Sequence, residues 1–412
     1  MQEENNKNDI QTITFGCRLN AVESEKIAKM LHNAVPNAIV VNTCAVTGEA
    51  ERQSAQYVRR IARENPNVPM FITGCAATHD ETPFTKIPNV RVINNADKMN
   101  QDAYVNAVAD FDWTANPHIH VSNPDTQMSK QFVQIQNGCN HDCTYCITRL
   151  LRGPSVSFEY DAILADVQNA VKNGYGEIVL TGVDSASYVK IYDNRPFLIS
   201  DLCRKLLTDV PEIRRLRLSS MDPASPEIYK IIDLIHETSR MMPHIHLSMQ
   251  SGSDTILQSM RRRHTADMVR NIVAYANGIT FSWDIICGFP GETDELFNET
   301  MQLVAETRPI KIHAFPFSPR PGTPAAEMPN PTPKSVAKQR VKQITDAATH
   351  NRKEFINQQI GTKTSVLVEQ NNVGRTPNDI SIIIMGQNVP ERTICDCKIV
   401  GVHDENFVGT IE

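Results

Sequence analysis

Long apolar segments are missing from this chain of 412 residues. It contains no run of about 18 apolar residues, the length that a membrane-spanning helix needs. Its polar start, MQEENNKNDIQ, also lacks the apolar region of a secretory signal peptide. We therefore expect a cytoplasmic protein without a membrane segment.

A surplus of positive charge is missing as well. The chain has 41 Lys and Arg against 47 Asp and Glu, which gives a net charge of -6 at pH 7. Domains that bind nucleic acid usually carry a basic surplus, so RNA would have to be bound by local patches. A solvated helix face is the alternative explanation for any one basic group. Three groups are candidates: Arg59, Arg60 and Arg63; Arg214, Arg215 and Arg217; and Arg261 to His264.

Cysteine is present ten times. In a reducing compartment such cysteines are more often metal ligands or catalytic groups than disulfides. Cys139, Cys143 and Cys146 form a C-x3-C-x2-C loop directly after a predicted strand. Three thiolates on one loop can bind three irons of a 4Fe-4S cluster and leave the fourth iron open. Zinc is the alternative, but zinc normally completes a closed tetrahedron and His141 is poorly placed as a fourth ligand.

Three further cysteines each follow a predicted strand. Cys17 ends ITFGC, Cys44 ends VVNTC and Cys75 ends FITGC. In a parallel α/β sheet these strand ends meet at one edge, so we predict that the thiols converge on a second cluster. Buried small residues and redox-active thiols without metal are the alternatives. Four cysteines receive no role: two predicted core residues, Cys203 and Cys287, and two on one strand face, Cys395 and Cys397.

The pattern of apolar runs predicts an α/β fold with three domains. Residues 9–115 alternate strands with helices and predict a parallel α/β sheet, followed by a linker with Pro117 and Pro124. Residues 126–360 contain six strand–helix units, which predict a partial barrel, and end in a charged helix over 334–359. Residues 361–412 predict a small β-barrel. The six strands of the central domain are expected at 132–136, 177–181, 215–219, 244–248, 283–287 and 311–315.

The cysteine loop after the first barrel strand resembles the radical S-adenosylmethionine superfamily. LTGVDSASY and DIICGFPGET follow the second and fifth strands, where that superfamily binds its cofactor. The resemblance implies reductive cleavage of S-adenosylmethionine to a 5'-deoxyadenosyl radical, with the protein positioning the cofactor. No catalytic side chain is assigned. The implied cofactor contacts are Gly182, Asp184, Ser220, Gln250, Arg263, Gly288 and Glu292. For Glu292 the alternatives are a contact with the substrate and an exposed turn position without a role.

The whole chain resembles the methylthiotransferases within that superfamily. The motifs TFGCRLNAVESE, VNTCAVTGEAER, QNGCNHDCTYC, LSSMDP, HLSMQSGSDTILQSMRRRHT and FPFSPRPGTPAAEM follow the family order. The resemblance implies a radical cluster on the loop cysteines, an auxiliary cluster on Cys17, Cys44 and Cys75, and a TRAM-like RNA-binding module at the end. Two departures are CITRLLRG, with Arg149 at a usual proline position, and a short Cys17–Cys44 interval.

TGVDS and LSSMDP resemble the branch that methylthiolates C2 of N6-threonylcarbamoyladenosine at position 37 of tRNA. The alternatives are isopentenyladenosine-37 of tRNA, an aspartate of a ribosomal protein, or an iron–sulfur scaffold without enzymatic activity. The implied partners are a tRNA anticodon stem-loop and an electron donor such as flavodoxin or ferredoxin, and we expect a monomer. Phe315 and Phe317 are candidates for stacking on a splayed base, and core packing is the alternative expected for at least one of them.

Overall fold

The computed structural model describes residues 10–35, 37–109 and 129–411. The predicted linker with Pro117 and Pro124, and the outer ends of the predicted domains, lie outside these residues. Within the described ranges, no helix has the length and apolar character required to cross a bilayer.

The N-terminal part is a parallel sheet with the strand order β1-β2-β3-β4. Strands β2 and β3 are buried along their whole length because apolar clusters cover both faces, with α2 on one face and α1 and α5 on the other. The elements are β1 (Ile10–Thr14), α1 (Arg18–Leu31), β2 (Ala38–Thr43), α2 (Gly48–Glu64), β3 (Met70–Gly74), α3 (Cys75–His79), α4 (Thr82–Thr85), β4 (Val90–Val92) and α5 (Gln101–Ala107).

The central part is an open barrel of six parallel strands with helices outside. Sheets β11-β8-β5 and β12-β13-β14 are linked through the bridges Leu216–Met241 and Met221–Leu247. All six predicted strands are present. The elements are β5 (Lys130–Gln134), β6 (Gln136–Asn137), α6 (Thr148–Arg152), β7 (Val156–Ser157), α7 (Tyr160–Lys172), β8 (Glu177–Thr181), β9 (Val189–Tyr192), β10 (Arg195–Leu198), α8 (Ile199–Asp209), β11 (Leu216–Leu218), α9 (Glu227–Glu237), β12 (His244–Gln250), α10 (Asp254–Ser259), α11 (Ala266–Tyr275), β13 (Thr280–Cys287), α12 (Asp294–Thr307), β14 (Lys311–Pro316) and α13 (Lys334–Gln358).

The barrel strands alternate between the apolar core and a polar interior. In β12, Ile245, Leu247 and Met249 are buried in the main apolar cluster, whereas His244 and His246 are half-buried on the opposite face. Successive strand residues point to opposite faces, so this pattern leaves a polar interior surrounded by an apolar layer under the helices. The interior is where a polar ligand can be held.

The C-terminal part is a closed barrel with the order β15-β16-β17-β19-β18. It docks where the central strands begin: Arg215 Nη1 donates to Arg375 O at 2.9 Å and Arg217 Nη2 to Pro377 O at 3.0 Å. Because Arg215 and Arg217 are buried in this interface, the prediction that they position RNA is wrong. The strands are β15 (Lys363–Val368), β16 (Val373–Arg375), β17 (Ser381–Met385), β18 (Ile394–His403) and β19 (Asn406–Ile411).

Candidate active site

The C-x3-C-x2-C loop is fixed by hydrogen bonds to distant parts of the barrel. Cys139 N donates to Gly153 O at 3.1 Å. Buried Thr144 donates its N–H to Met260 O at 3.1 Å, and its carbonyl oxygen accepts from Ala325 N at 2.9 Å. The loop therefore has a defined course although its own sequence is irregular.

The three loop thiols lie together beside a basic side chain. Burial raises the pKa of Cys139 to about 11, with Asp184 and the other two thiols adding to the effect. Arg262 Nη1 lies 3.6 Å from Cys143 Sγ, and His141 N lies 3.4 Å from Cys139 Sγ. The Arg262 side chain is only 7% exposed, and its Nε has no hydrogen-bond partner among the described residues. An unpaired buried donor beside three thiols fits an anionic iron–sulfur cluster, which hydrogen bonds to sulfur stabilise.

Asp222 holds the basic run RRRH at this site. Arg262 Nη2 donates to Asp222 Oδ1 at 3.0 Å and Arg263 Nη2 to Asp222 Oδ2 at 2.8 Å. Although burial alone would raise it, these arginines keep the pKa of Asp222 below its ordinary value. The side chain of Arg263, the residue expected from the sequence, is 55% exposed and contacts His141 Nε2 at 3.1 Å. Arg262, expected from the sequence only as one of a group of RNA contacts, is instead buried next to the thiols.

The segment after β8 is joined to the cysteine loop by Gln136. Its Nε2 donates to Gly138 O at 2.6 Å, and its Oε1 accepts from Asp184 N at 2.9 Å. A side chain at Gly182 would collide with the same glutamine, so the backbone passes close to the loop only with glycine there. The sequence alone did not point to Gln136.

Asp184 reaches the rim of the loop. Its carboxylate lies 2.6 Å from His141 Nε2. The ligand atoms of Cys139, His141 and Asp184 all lie within 4.8 Å of one another. A single metal ion is therefore within geometric reach of these three residues.

The glycine turn after β13 encloses a buried carboxylate. Gly288 has a φ of +77°, and its N–H donates to Glu292 Oε2 at 2.6 Å. The same oxygen lies 2.7 Å from Arg340 Nη1 of α13. Burial raises the pKa of Glu292. Glu292 thus fixes the turn and ties it to α13, whereas the sequence suggested a side chain facing cofactor or substrate, or solvent.

Ser220 and Gln250 lie just after β11 and at the end of β12, the same end of the barrel as the cysteine loop. Both are half-buried. Gln250 has a φ of +69°, a conformation that residues other than glycine rarely adopt. Such strain is often found at functional sites.

The N-terminal cysteines meet at one edge of the first sheet. Cys17 precedes α1, Cys44 follows β2 and Cys75 begins α3. Burial raises the pKa of Cys44 to about 11, and the nearby thiols of Cys17 and Cys75 raise it further. Gly16 has a φ of +89°, and a side chain there would overlap Cys44 Sγ. Glycine therefore lets the turn before α1 pass directly over Cys44.

A second buried arginine accompanies this group. The side chain of Arg152, from α6 of the central barrel, is 2% exposed and donates to Asn20 Oδ1 at 2.6 Å and Glu23 Oε1 at 2.8 Å. Lys98 Nζ lies 2.5 Å from Glu23 Oε2. Although burial would lower it, Glu23 and the thiols of Cys75 and Cys17 keep the pKa of Arg152 above its ordinary value. Two cations against one carboxylate leave a positive charge beside the thiols, which again fits an anionic cluster.

Three residues of this second site, Asn20, Glu23 and Arg152, were missed in the sequence. Arg152 was visible six positions after Cys146, but exposed arginines are common and its burial depends on contacts between two domains. Asn95, also missed, lies with its Nδ2 3.8 Å from Cys75 Sγ. Of the four cysteines given no role, Cys203 and Cys287 are buried in the core, and Cys395 Sγ lies 3.8 Å from Cys397 Sγ on one strand face.

Two protein-family models match the chain: the Radical SAM superfamily over residues 133–304 and Uncharacterized protein family UPF0004 over residues 9–94. The fold is shared with the radical S-adenosylmethionine methyltransferase TsrM from Kitasatospora setae, with a TM-score of 0.53 and 12% identity over 74% of this chain and 69% of that chain. The cobalamin-dependent S-adenosylmethionine radical enzyme OxsB gives a TM-score of 0.51 at 10% identity, over 86% of this chain and 56% of that one. Fold and family model together define a radical S-adenosylmethionine enzyme.

Curated relatives narrow the assignment from the superfamily to one of its families. The chain is 37% identical to the threonylcarbamoyladenosine tRNA methylthiotransferase MtaB of Rickettsia prowazekii, over 90% of each chain. It is 30% identical to the protein of the same name from Bacillus subtilis, over 97% of this chain and 96% of the relative. A tRNA-2-methylthio-N(6)-dimethylallyladenosine synthase of Paenarthrobacter aurescens is 32% identical over 87% of this chain and 74% of the relative. The chain belongs to the methylthiotransferase family of radical S-adenosylmethionine enzymes, which confirms the predicted family, fold class and enzyme class.

Proposed function

We propose that this enzyme methylthiolates C2 of N6-threonylcarbamoyladenosine at position 37 of tRNA. One observation carries the proposal: two groups of three thiols, each beside a buried arginine, occur in a chain that aligns over 90% of its length with a threonylcarbamoyladenosine tRNA methylthiotransferase. The S-adenosylmethionine and iron–sulfur chemistry expected from the sequence is that of the family to which the chain belongs.

Each group of thiols holds one 4Fe-4S cluster in this proposal. Cys139, Cys143 and Cys146 leave one iron of the first cluster for S-adenosylmethionine, and Cys17, Cys44 and Cys75 hold the second. When bound, the two clusters and S-adenosylmethionine would supply the electron, the radical that removes hydrogen from C2, and the sulfur and methyl group that replace it. The protein supplies position, charge compensation and shielding from water.

The cofactor pocket is built at the ends of the barrel strands around the first group of thiols. Gly182 and Gly288 allow close backbone approach, while Asp184, Ser220 and Gln250 offer polar groups to the methionine and ribose parts of the cofactor. Two other residues expected in this pocket take a different place. Arg263 closes the rim through Asp222, and Glu292 positions the glycine turn.

The substrate RNA is expected to meet the remaining exposed basic residues. Arg59, Arg60 and Arg63 are exposed in the second half of α2, the end away from Cys44, and Arg261 is exposed beside the cysteine loop. Phe315 is 41% exposed and stays a candidate for stacking on the flipped adenine, whereas Phe317 packs on Phe289 with ring centroids 5.3 Å apart. The anticodon stem-loop as partner, the flavodoxin or ferredoxin donor, the monomeric state and the cytoplasmic location stay predictions.

Mass spectrometry of tRNA nucleosides tests the proposal. Deleting the gene should abolish the 2-methylthio derivative of threonylcarbamoyladenosine, and a plasmid copy should restore it. A copy with Cys143→Ala should not restore it, because the loop would lose one cluster ligand. If the derivative is unchanged on deletion, the proposal is wrong. Loss of the 2-methylthio derivative of isopentenyladenosine instead would assign the enzyme to that alternative.

A further inference from the structure

The interior of the central barrel contains basic side chains that the cofactor sites do not use. Lys311 and His313 lie on β14, and Arg18, the residue after Cys17, enters from α1. The guanidinium of Arg18 lies 5.6 Å from the ring centroid of Phe132 on β5. The His313 ring centroid lies 5.7 Å from that of His246 on the interior face of β12, and Lys311 shares the strand face of His313. Phe132 alternates along β5 with residues of the apolar core, so all three basic side chains border the barrel interior.

The carboxylates of this interior are already occupied by other cations. Glu177 Oε1 lies 2.7 Å from Arg217 Nε and 3.5 Å from Lys130 Nζ. Lys130 in turn lies 3.0 Å from Asp379 Oδ1 of the C-terminal barrel. Glu177 and Asp379 therefore each already lie within ion-pair distance of another cation.

Asp284, the remaining interior acid, lies 3.0 Å from His246 Nε2. Within the described residues, neither Arg18 nor Lys311 forms an ion pair, and the His313 ring forms no hydrogen bond. The interior thus has a positive surplus that a negatively charged ligand would neutralise.

These basic groups are surrounded by protein and yet reached by water. Arg18 and Lys311 are both exposed to solvent, and burial nevertheless lowers the pKa of Lys311. That combination is expected for a group at the wall of a water-filled cleft, where charge–charge interactions are stronger than at an open surface. A ligand anion entering the cleft would replace water at these cations.

The strand register gives the cleft a direction. Across β13 and β14, Ser282 pairs with Lys311, Asp284 with His313 and Ile286 with Phe315. Lys311 therefore lies four residues, about 13 Å, below Phe315, which is nearer the end of the barrel that carries the cysteine loop. An adenine beside Phe315 could direct an extended N6 substituent down the cleft toward His313 and Lys311.

We propose that Arg18, Lys311 and His313 form a carboxylate-binding subsite for the threonyl end of the N6 substituent, which selects an acidic over an apolar substituent. The inference rests on the proposed function. A threonylcarbamoyl group ends in a carboxylate and a hydroxyl, whereas a dimethylallyl group has neither. An apolar substituent would displace water from these cations without pairing them, and unpaired buried polar groups reject such analogues strongly.

Binding of two matched RNAs to the reconstituted holoenzyme tests the subsite. One anticodon stem-loop carries threonylcarbamoyladenosine, and the other carries its threonine carboxamide, which has the same shape without the charge. Fluorescence anisotropy should show that the wild type prefers the acid by about tenfold to hundredfold, the effect of one charge-assisted hydrogen bond. Lys311→Gln should reduce this ratio to about threefold or less. Lys338→Gln, at an exposed position of α13, is the control and should keep it.

Two results would overturn the subsite: equal wild-type affinity for acid and carboxamide, or an unchanged ratio in Lys311→Gln. If Lys311→Gln does not fold, the ratio for His313→Leu decides in the same way. Turnover of the two RNAs tests the proposed function separately from the subsite. Methylthiolation of both RNAs with equal kcat/KM would keep the function and remove the subsite, whereas preference for the acid without methylthiolation would do the reverse.

Discussion

Each group of three cysteines has a buried arginine beside it. Arg262 contacts Cys143 and is held by Asp222, and Arg152 lies near Cys17 and Cys75 and is held by Glu23. A buried ion is costly unless it is paired with an opposite charge. Each of these arginines shares its carboxylate with a second cation, so a further negative charge beside it would be favourable. A cluster bound by the thiolates would supply that charge.

Replacing one N-terminal cysteine should separate the two sites. The reconstituted wild type should hold about eight iron atoms, as expected for two 4Fe-4S clusters, and Cys44→Ala about four. The variant should still cleave S-adenosylmethionine but should not methylthiolate RNA, because only the auxiliary site is damaged. Iron analysis and detection of 5'-deoxyadenosine measure both effects.

Cys203→Ala is the matched control for that variant. Cys203 is fully buried in the core of the central barrel, away from both groups of thiols. The iron content of the Cys203→Ala variant should therefore match that of the wild type. Equal loss of cleavage and methylthiolation in Cys44→Ala would contradict the division of labour between the clusters.

Helix α6 connects the C-x3-C-x2-C loop with the site of the N-terminal cysteines. It follows the cysteine loop directly, ends with Arg152 in the N-terminal site, and Leu151 O accepts from Asn95 Nδ2 at 3.0 Å. The departure CITRLLRG falls in this helix: Arg149 is exposed and lies 3.1 Å from Asp142 Oδ1 of the loop. The unusual arginine is therefore accommodated at the surface, while the arginine three positions later joins the domains.

Arg152→Met should disturb the auxiliary site more than its distance in sequence from Cys17, Cys44 and Cys75 suggests. Methionine keeps much of the volume but leaves Glu23 with Lys98 as its cation and removes the positive charge beside the thiols. We expect the iron content to fall from about eight toward about four atoms, with S-adenosylmethionine cleavage retained. Arg149→Met, on the same helix, should keep the full iron content, and an equal loss in both variants would refute a specific role for Arg152.

The C-terminal barrel is joined to the rest of the molecule by buried charges. Asp379 lies against Lys130, while Arg217 reaches both Glu177 and Pro377 O. Burial alone would raise their pKa values, but the surrounding cations lower the pKa of Glu177 to about 2 and hold that of Asp379 well below its usual range. The position of the C-terminal barrel therefore depends on ionised carboxylates.

Asp379→Asn should loosen the C-terminal barrel. Removing one partner of this partly buried pair costs about 2 kcal/mol, which corresponds to roughly thirtyfold faster amide exchange where exchange follows undocking. Hydrogen exchange over residues 373–385 at pH 7 measures this effect. Asp404→Asn, in the same barrel but 87% exposed, should leave exchange unchanged. Equal protection of wild type and Asp379→Asn at pH 7 would contradict the role of this contact.

The same network gives the docking a pH dependence. Because folding lowers the pKa of both carboxylates, their stabilisation is fully present above the unfolded values of about 4 and is lost as the pH falls through the folded values. The difference in exchange between wild type and Asp379→Asn should therefore shrink below about pH 4. A difference that stays constant down to pH 3 would show that the charge of Asp379 is not its cause.

The strands of the central barrel and the two groups of three cysteines could be predicted from the amino-acid pattern alone. The alternation of apolar residues predicted all six strands of the central barrel, because strand periodicity depends on local side-chain burial. The placement of Cys17, Cys44 and Cys75 after successive strands predicted their convergence, because parallel strands end at one edge. Spacing along the chain was sufficient for these features.

Which charged residues lie at the two cysteine sites could not be predicted from the sequence, because it depends on the tertiary structure. Arg262 rather than Arg263 lies beside the thiols, Glu292 ties a turn to α13, and Arg215 and Arg217 are buried at a domain interface. Neighbouring arginines look alike in a sequence, and their burial depends on contacts between residues far apart in the chain. The basic interior of Arg18, Lys311 and His313 likewise depends on packing between distant segments, since Arg18 contacts Phe132 of β5 and His313 lies beside His246 of β12.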